Sequence, residues 1–396
     1  MIHRTLRRYT LYLLAILGSF SSWSLFRPSV GEGTPIESLH KLLFLIVAIF
    51  LFLIRPRGLG VHKFILPFLP FIGCSIISLV WQGRSFTDIK SSMTLLIPII
   101  LGAALIDGEN PATYLHQWRR YVMLAVILSI VGGVFSSYFG LRSGLRNLWG
   151  GSNYQLTGLQ GASELAVLTS YITLLYFSKL GELKARDWLV ILFLILVNLA
   201  AGCRTSIAAL TVSSLVFYPS AVKSFRRGPA IIFVIMLSLF VGLGIARSWE
   251  RTFRGEEGST LPIHTSQRFE LWPRYFELAK SHLVFGSGPG AVVRTMAEDD
   301  IYAPHNAYLS LFLTGGLAGL FTYLFGWCSI LRTVFKQSKT STDKSVMRAV
   351  FACSIFIALF AITDGSFGHL FTMCIYAGIV AAGVSTHPKQ ATYSKV

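Results

Sequence analysis

The sequence predicts an all-α polytopic membrane protein, on two features of its composition and one repeated pattern. Of 396 residues, 53% are hydrophobic and only 13% are charged, whereas about 25% of the residues in an average soluble domain are charged. Apolar runs of about 18 or more residues recur along the chain, and this is the length that a helix needs to cross a bilayer. Residues 1–396 are therefore predicted to form one integral membrane domain with about 12 transmembrane helices.

Each apolar run is predicted to be one helix. The runs fall at roughly 9–26, 39–54, 61–81, 89–106, 121–140, 164–180, 187–202, 205–219, 229–247, 307–330, 346–363 and 367–386. Residues 187–219 can form one long helix or two spans. Two spans are preferred, because a single helix would reverse the orientation of everything downstream and move the basic clusters to the other side.

The basic residues set the orientation of these spans. If the chain starts in the cytoplasm, most Lys and Arg residues fall on cytoplasmic loops, as the positive-inside rule requires. These loops then account for nearly all of the formal net charge of +17, so nucleic-acid binding is not expected. The same alternation puts both termini in the cytoplasm and the long segment 247–306 outside, where its bases and acids nearly cancel.

The outer segment 247–306 is predicted to contain a helix and a tight turn. Thr265 or Ser266 can cap a helix that runs to about Ser281, and Pro273 inside it predicts a kink or a break. The turn is the Gly-rich sequence FGSGPG at 285–290. It lacks the Lys-Ser/Thr ending of a phosphate-binding loop.

His305 is the strongest candidate for chemistry, in the sequence YAPHNAY at 302–308. Pro304 fixes the chain before it, and Asn306 can cap the helix of the next span. The imidazole then lies beside the positive end of a helix dipole, which favours its neutral form. A neutral histidine at a membrane face can accept a proton from a hydroxyl group. The alternative is a capping or interfacial histidine without chemistry.

Two arginines are candidates for binding an anion. Arg204, in GCRTS at 202–206, lies between two apolar runs, where a charge is costly unless it is paired. A diphosphate can pair with it through bidentate contacts, although the side chain can also reach the outer boundary. Arg268 falls in the first turn of the outer helix, where the dipole disfavours a cation. This position indicates an anionic partner, which either a ligand or the nearby Glu270 can supply.

Other ionisable residues of the outer face are weaker candidates. Arg274 is expected to contact lipid headgroups. Asp364, in TDGSFGH at 363–369, can orient His305 or pair with Arg204. A plain turn aspartate fits the pattern equally well. Glu164 opens the sixth span, where a carboxylate at a helix N-terminus is the preferred explanation. No cluster of carboxylates offers a metal site.

Five motifs occur in a fixed order within residues 187–326. They are GCRTS at 202–206, RFELW at 268–272, FGSGPG at 285–290, HNAYL at 305–309 and TGGLAG at 314–319. Together this block resembles the O-antigen ligase and polymerase superfamily.

The resemblance implies a GT-C-like helical fold with twelve spans in the bacterial inner membrane, and it makes 247–306 a periplasmic loop. It implies a metal-independent glycosyltransferase, without a cofactor, that moves a glycan from undecaprenyl diphosphate to an acceptor sugar at the periplasmic face. Arg204 and Arg268 would bind the diphosphate, and His305 would act on the acceptor hydroxyl. Supporting roles fall to Asp364, Asn306 and Arg274.

The acceptor and the functional class leave alternatives open. A ligase uses lipid A–core as acceptor, whereas a polymerase uses another lipid-linked glycan; a ligase is preferred because the matching block is the one that ligases share. A transporter or flippase for lipid-linked sugars is the alternative from another class. It predicts ionisable or helix-breaking residues in matching halves of the chain, and the sequence shows these only weakly. Membrane lipids are the remaining expected partners.

Overall fold

The computed structural model describes residues 2–19, 35–54, 62–82, 86–106, 111–138, 162–217, 268–298, 304–338, 344–364 and 369–384. Within these ranges the chain is helical and has no strand, so the predicted all-α class is confirmed. The helices are α1 (Ile2–Ser19), α2 (Pro35–Ile54), α3 (His62–Ile65), α4 (Leu69–Gln82), α5 (Phe86–Leu105), α6 (Pro111–Tyr138), α7 (Ala162–Phe177), α8 (Ala185–Ala201), α9 (Arg204–Ser214), α10 (Arg268–Lys280), α11 (Ala291–Glu298), α12 (Ala307–Ser338), α13 (Lys344–Phe360) and α14 (Leu370–Val384).

The lengths and compositions of these helices indicate a multi-pass membrane protein. In the described part of the chain, three stretches are long and apolar enough to cross a membrane: His62–Val80, Thr113–Phe135 and Ala307–Lys336. Shorter apolar helices lie at Lys41–Ile54, Ser91–Leu105, Ser163–Phe177, Thr205–Phe217 and Leu370–Val384. The twelve-span topology stays a prediction, because the predicted span at 229–247, the connection 141–161 and the loop segments 247–267 and 299–303 lie outside the described residues.

One apolar core joins the membrane helices. α5 lies between α2 and α14, α9 packs against α13, and α7 packs against α8. Glycines allow close approach at two of the helix contacts. Gly326 faces the ring of Phe68 and Gly378 faces Trp118, so that a Cβ at either position would collide with the ring. Small residues at helix contacts let backbones approach closely in a membrane, where packing replaces the hydrophobic driving force.

The chain turns sharply between α8 and α9. Gly202 ends α8 in the left-handed conformation, with φ 63°, and its N–H donates to the Leu199 carbonyl oxygen at 2.9 Å. Cys203 is extended, and α9 begins at Arg204. Glycine takes this conformation without a steric penalty. Residues 187–219 therefore begin as two helices and not as one long helix, and the prediction that each of them crosses the membrane stays a prediction.

The helix predicted in the loop 247–306 is α10. It runs through Pro273, so the break that this residue allowed is absent. A proline in the second turn removes only one intrahelical hydrogen bond. Beyond it, Tyr275 and Ala279 are fully buried in a small cluster against α12, which stabilises the helical path. The predicted cap at 265–266 lies outside the described residues.

The Gly-rich turn fits into an interruption of α12. Gly316 leaves the helical conformation there, with φ 62° and ψ −165°. Four backbone hydrogen bonds join the two segments, with Leu317 donating to Leu283 (2.9 Å), Ala318 to Val284 (3.0 Å), Ser287 to Leu313 (2.8 Å) and Gly288 to Thr314 (3.1 Å). The predicted tight turn is thus confirmed. It also supplies partners for backbone groups of α12 near the interruption, which would be costly to leave unpaired in apolar surroundings.

A buried carboxylate fixes the same turn to α5. Asp88 is fully buried and accepts a hydrogen bond from the Gly290 N–H at 2.7 Å. Arg294 of α11 forms an ion pair with Asp88 and donates to the Ser287 carbonyl oxygen at 2.5 Å. Breaking a buried pair leaves an uncompensated charge, so this contact holds α11 and the turn in place before the chain reaches His305.

Replacing Gly316 by alanine is expected to destabilise the protein by about 1–3 kcal/mol. Its backbone conformation is essentially restricted to glycine, and a Cβ would collide with the Val284 carbonyl group. Thermal unfolding of the detergent-purified protein measures the effect. Gly315→Ala is the matched control, because nothing lies within 4 Å of a Cβ at that position. Equal unfolding temperatures for the two variants would contradict this prediction.

Candidate functional site

A buried polar network holds the start of α9. Arg204 is the first residue of this helix, and the structure describes its backbone position only. Two residues later, the hydroxyl of Ser206 lies 3.0 Å from that of Ser170 on α7. Asn198 Nδ2, on α8, donates to both hydroxyls, at 3.1 and 2.8 Å. All three of these side chains are buried, so the backbone of Arg204 is fixed relative to α7 and α8.

The turn between α13 and α14 contacts the starts of two other helices. Thr363 Oγ1 donates to Thr205 Oγ1 at 2.6 Å, next to Arg204. The Ala307 N–H, at the start of α12, donates to the Ala361 carbonyl oxygen at 2.9 Å. The first turns of α9 and α12 therefore meet at this turn.

His305 precedes α12 and is exposed. Its φ of 45° is the one positive value at a non-glycine residue in the described ranges. Such a conformation is strained and persists only where neighbouring contacts fix it. Asn306 Oδ1 accepts a hydrogen bond from the Leu309 N–H at 2.9 Å, so the predicted cap of α12 is confirmed. On the other side, the Pro304 carbonyl oxygen accepts from Trp272 Nε1 at 2.8 Å.

The bond from Trp272 brings α10 to His305. Arg268 is the first residue of α10, about one helical turn before Trp272, and the structure again describes its backbone only. Arg274 is exposed on the same helix, and its contact with lipid headgroups stays a prediction. The N-termini of α9, α10 and α12 therefore lie in one region, and the first two begin with an arginine.

A chain of ionisable side chains borders this region. His369 lies just before α14 and contacts a carboxylate through each ring nitrogen. Its Nε2 is 2.9 Å from Asp364 Oδ1, and its Nδ1 is 2.8 Å from Glu164 Oε1 in the first turn of α7. Both carboxylate side chains are largely buried. The N-termini of α7 and α14 thereby join the other three.

The electrostatics of this chain make its histidine a cation. Burial lowers the pKa of His369, but its hydrogen bonds to Asp364 and Glu164 and their charges raise it to about 10. For Asp364, burial alone would raise the pKa, whereas the hydrogen bond and charge of His369, a hydrogen bond with Ser163 and the charge of His305 lower it. At neutral pH His369 is therefore an imidazolium between two carboxylates. His305 precedes α12, whose first N–H, at Ala307, donates to Ala361 on the turn that carries Asp364.

The three groups follow one another in a line and do not converge on a point. Each carboxylate uses a different nitrogen of His369. In the ranges that the structure describes, no group of three His, Cys, Asp or Glu side chains could hold a metal ion.

Sequence reasoning missed His369 and the distant partner of Glu164. Glu164 does lie in the first turn of a helix, as expected. Its contact with His369, however, joins residues 205 positions apart, which no local pattern indicates. For Asp364 the sequence offered orientation of His305 or pairing with Arg204. Its hydrogen-bond partners in the structure are His369 and Ser163, and it also interacts electrostatically with His305.

The fold and the site together define a multi-pass helical membrane protein in which five helix N-termini surround one polar region. Residues 189–324 match the protein family described as O-Antigen ligase. The match covers about a third of the chain, inside the predicted block 187–326, and it confirms the resemblance to the O-antigen ligase and polymerase superfamily. No curated protein matches the chain. The family implies a glycosyl-transferring enzyme of the ligase or polymerase type, with a lipid-linked glycan and an acceptor as its partners.

Proposed function

We propose that this protein is an O-antigen ligase of the bacterial inner membrane, which moves a glycan from undecaprenyl diphosphate to a lipid A–core hydroxyl at the periplasmic face. The supporting observation is that hydrogen bonds join the first turns of α7, α9, α10, α12 and α14 in one region, next to which His305 lies. Helix N-termini are the positive ends of dipoles and bind anions. A diphosphate is the anion that such a lipid-linked donor brings.

Arg204 and Arg268 bind the diphosphate in this proposal. Each is the first residue of its helix, where a cation is disfavoured by the dipole unless an anion accompanies it. Guanidinium groups bind phosphate oxygens in pairs of hydrogen bonds. The two arginines therefore stabilise the negative charge that develops on the leaving diphosphate, and the reaction needs no metal ion.

His305 accepts the proton of the acceptor hydroxyl. The acceptor oxygen then bonds to the anomeric carbon while the bond from this carbon to the diphosphate oxygen breaks. Undecaprenyl diphosphate leaves from the opposite side, so the anomeric configuration inverts. Asp364 stabilises the imidazolium that forms at His305, and Asn306 fixes the backbone beside it through the cap of α12.

Reconstitution with defined substrates tests this proposal. The purified protein is mixed with undecaprenyl diphosphate-linked glycan and lipid A–core, with and without EDTA. Transfer to the core, with an inverted linkage by NMR and an unchanged rate in EDTA, is the expected result. Transfer to a second lipid-linked glycan would instead identify a polymerase. Donor accumulation inside vesicles without any new glycosidic bond would identify a transporter.

A groove between α4, α5 and α12 is our proposed site for the polyprenyl chain of the donor. Its lining is largely apolar and reaches the Gly-rich turn, with Phe71, Leu95, Pro289, Leu311, Gly315 and Gly319 among its residues. Leu311 lies on the same helix that His305 precedes, between one and two turns further along. A chain in this groove would hold its diphosphate end near the site.

Replacing Gly319 by leucine is expected to raise the KM for the undecaprenyl donor about tenfold. Nothing lies within 4 Å of a Cβ at this position, so the side chain fills the groove. Tenfold corresponds to about 1.4 kcal/mol, less than the burial of two methylene groups contributes. A donor with a ten-carbon chain should be affected much less.

Gly73→Leu is the matched control for this prediction. Gly73 lies on α4, also with nothing within 4 Å of its Cβ, and it does not line the groove. Its KM should equal that of the wild-type protein for both donors. An equal rise in KM for the two leucine variants, or an unchanged KM for Gly319→Leu, would show that the polyprenyl chain does not bind in this groove.

A further inference from the structure

The chain from Glu164 through His369 to Asp364 connects the proposed general base to a distant helix. Asp364 lies on the turn whose Ala361 carbonyl oxygen accepts from the Ala307 N–H at 2.9 Å, two residues after His305, and its carboxylate interacts electrostatically with His305. His369 is its partner at 2.9 Å, and Glu164 on α7 holds the other nitrogen of His369 at 2.8 Å. Together with the hydrogen bond between Ser163 and Asp364, this contact links the turn that carries Asp364 to the first turn of α7.

His369 can hold both carboxylates because both of its ring nitrogens carry a proton. An imidazolium donates two hydrogen bonds in opposite directions, and a hydrogen bond between charged groups is shorter and stronger than a neutral one. Two carboxylates around one imidazolium leave a net charge of one negative unit beside His305. That charge favours the protonated state that His305 reaches when it accepts a proton.

We propose that His369 is a positioning residue of the transfer reaction, which holds Asp364 in place beside His305 and offsets one of the two carboxylate charges, so that His305 is still neutral when the acceptor hydroxyl reaches it. This inference rests on the proposed function. The acceptor proton moves to His305 only; His369 keeps both of its protons throughout and touches no substrate.

Substitutions that change the charge of His369 or Glu164 should shift the pH–rate profile, which a purely structural role of His369 would not do. The ionisable groups on the elements packed at this site are Asp364 on the α13–α14 turn, Glu164 on α7 and His369 before α14, and Arg204 and Arg268 begin neighbouring helices. Removing the cation in His369→Gln leaves two negative charges, which raises the pKa of His305. The acid limb of the pH–rate profile therefore moves to higher pH, because the base must be deprotonated. Glu164→Gln removes a negative charge and moves this limb to lower pH.

The experiment compares kcat, KM and pH profiles of the full-length protein with undecaprenyl diphosphate-linked glycan and lipid A–core. His369→Gln is expected to lower kcat about ten- to hundredfold, as a small misplacement of a catalytic group does, with an unchanged KM for the donor. His369→Lys retains a cation with several donors and should restore the position of the acid limb. His282→Gln is the matched control, because His282 is exposed in the turn after α10 and forms no part of the network of Glu164, His369 and Asp364.

The outcomes separate this inference from the function on which it rests. Wild-type kcat and pH profile in His369→Gln, with active wild-type protein, would overturn the positioning role and leave the proposed function intact. A lower unfolding temperature with unchanged kcat per folded molecule would also overturn it, since the role is then structural. If His369→Gln does not fold, the opposite shift in Glu164→Gln decides, and no shift there overturns the proposal. A wild-type protein that transfers no glycan would overturn both.

Discussion

Glycan transfer by a His305→Ala variant is expected to fall by about 10²- to 10⁴-fold, the usual contribution of a general base. The variant removes the imidazole that accepts the acceptor proton, while the cap at Asn306 and the bond from Trp272 to Pro304 use other groups. Helix packing should therefore be retained. Single-turnover assays with the purified protein measure the chemical step separately from donor binding.

The positive φ of His305 calls for a second variant. Alanine is disfavoured in the left-handed conformation, whereas asparagine is enriched there. His305→Asn thus keeps the backbone of this residue, with φ 45°, and removes only the base. Equal loss in the alanine and asparagine variants would assign the effect to the imidazole. Wild-type turnover in His305→Asn would remove His305 from the mechanism.

Local signals in the sequence were sufficient to predict several parts of this region. The break before Arg204 follows from one glycine, and the start of α12 follows from an asparagine cap after a proline. Both depend on residues within a few positions, so hydrophobic periodicity and capping rules reach them. The helix in the outer loop was predictable for the same reason, although tertiary packing allowed it to continue through Pro273.

Contacts between distant segments could not be predicted in this way. Asp88 binds Arg294 across 206 positions, and Glu164 binds His369 across 205. Asp88 and Glu164 each have an ordinary local explanation as a carboxylate in the first turn of a helix, so no local pattern pairs them with these distant residues. The interruption of α12 at Gly316 is similar. The run 307–330 is predicted as one helix, and only the contact with the distant turn at 285–290 explains why the helix is interrupted at Gly316.

Replacing Arg204 by alanine is expected to lower kcat by about 10²- to 10³-fold, as removal of one donor to a developing negative charge does. Arg204→Lys keeps the charge and loses the paired hydrogen bonds of the guanidinium, so its activity should be intermediate. Arg268→Ala should resemble Arg204→Ala, because each arginine is the first residue of a helix whose N-terminus lies at the site. The inhibition constant of the product, undecaprenyl diphosphate, should weaken in both variants more than that of the monophosphate.

The double variant tests whether the two arginines act on one diphosphate. Residues that act as a unit have non-additive effects, so removing both should lower kcat less than the product of the two single losses. Arg186→Ala is the matched control, since Arg186 is an exposed arginine in the first turn of α8. Arg186 and Arg204 both lie at the N-terminus of a helix, so the helix dipole acts on both in the same way. Arg186, however, lies at the opposite end of α8 from Arg204, away from the site. Full additivity of the two losses would show that these arginines do not bind a shared anion. An equal loss of kcat in Arg186→Ala would show that the charge of an arginine acts through folding or membrane insertion.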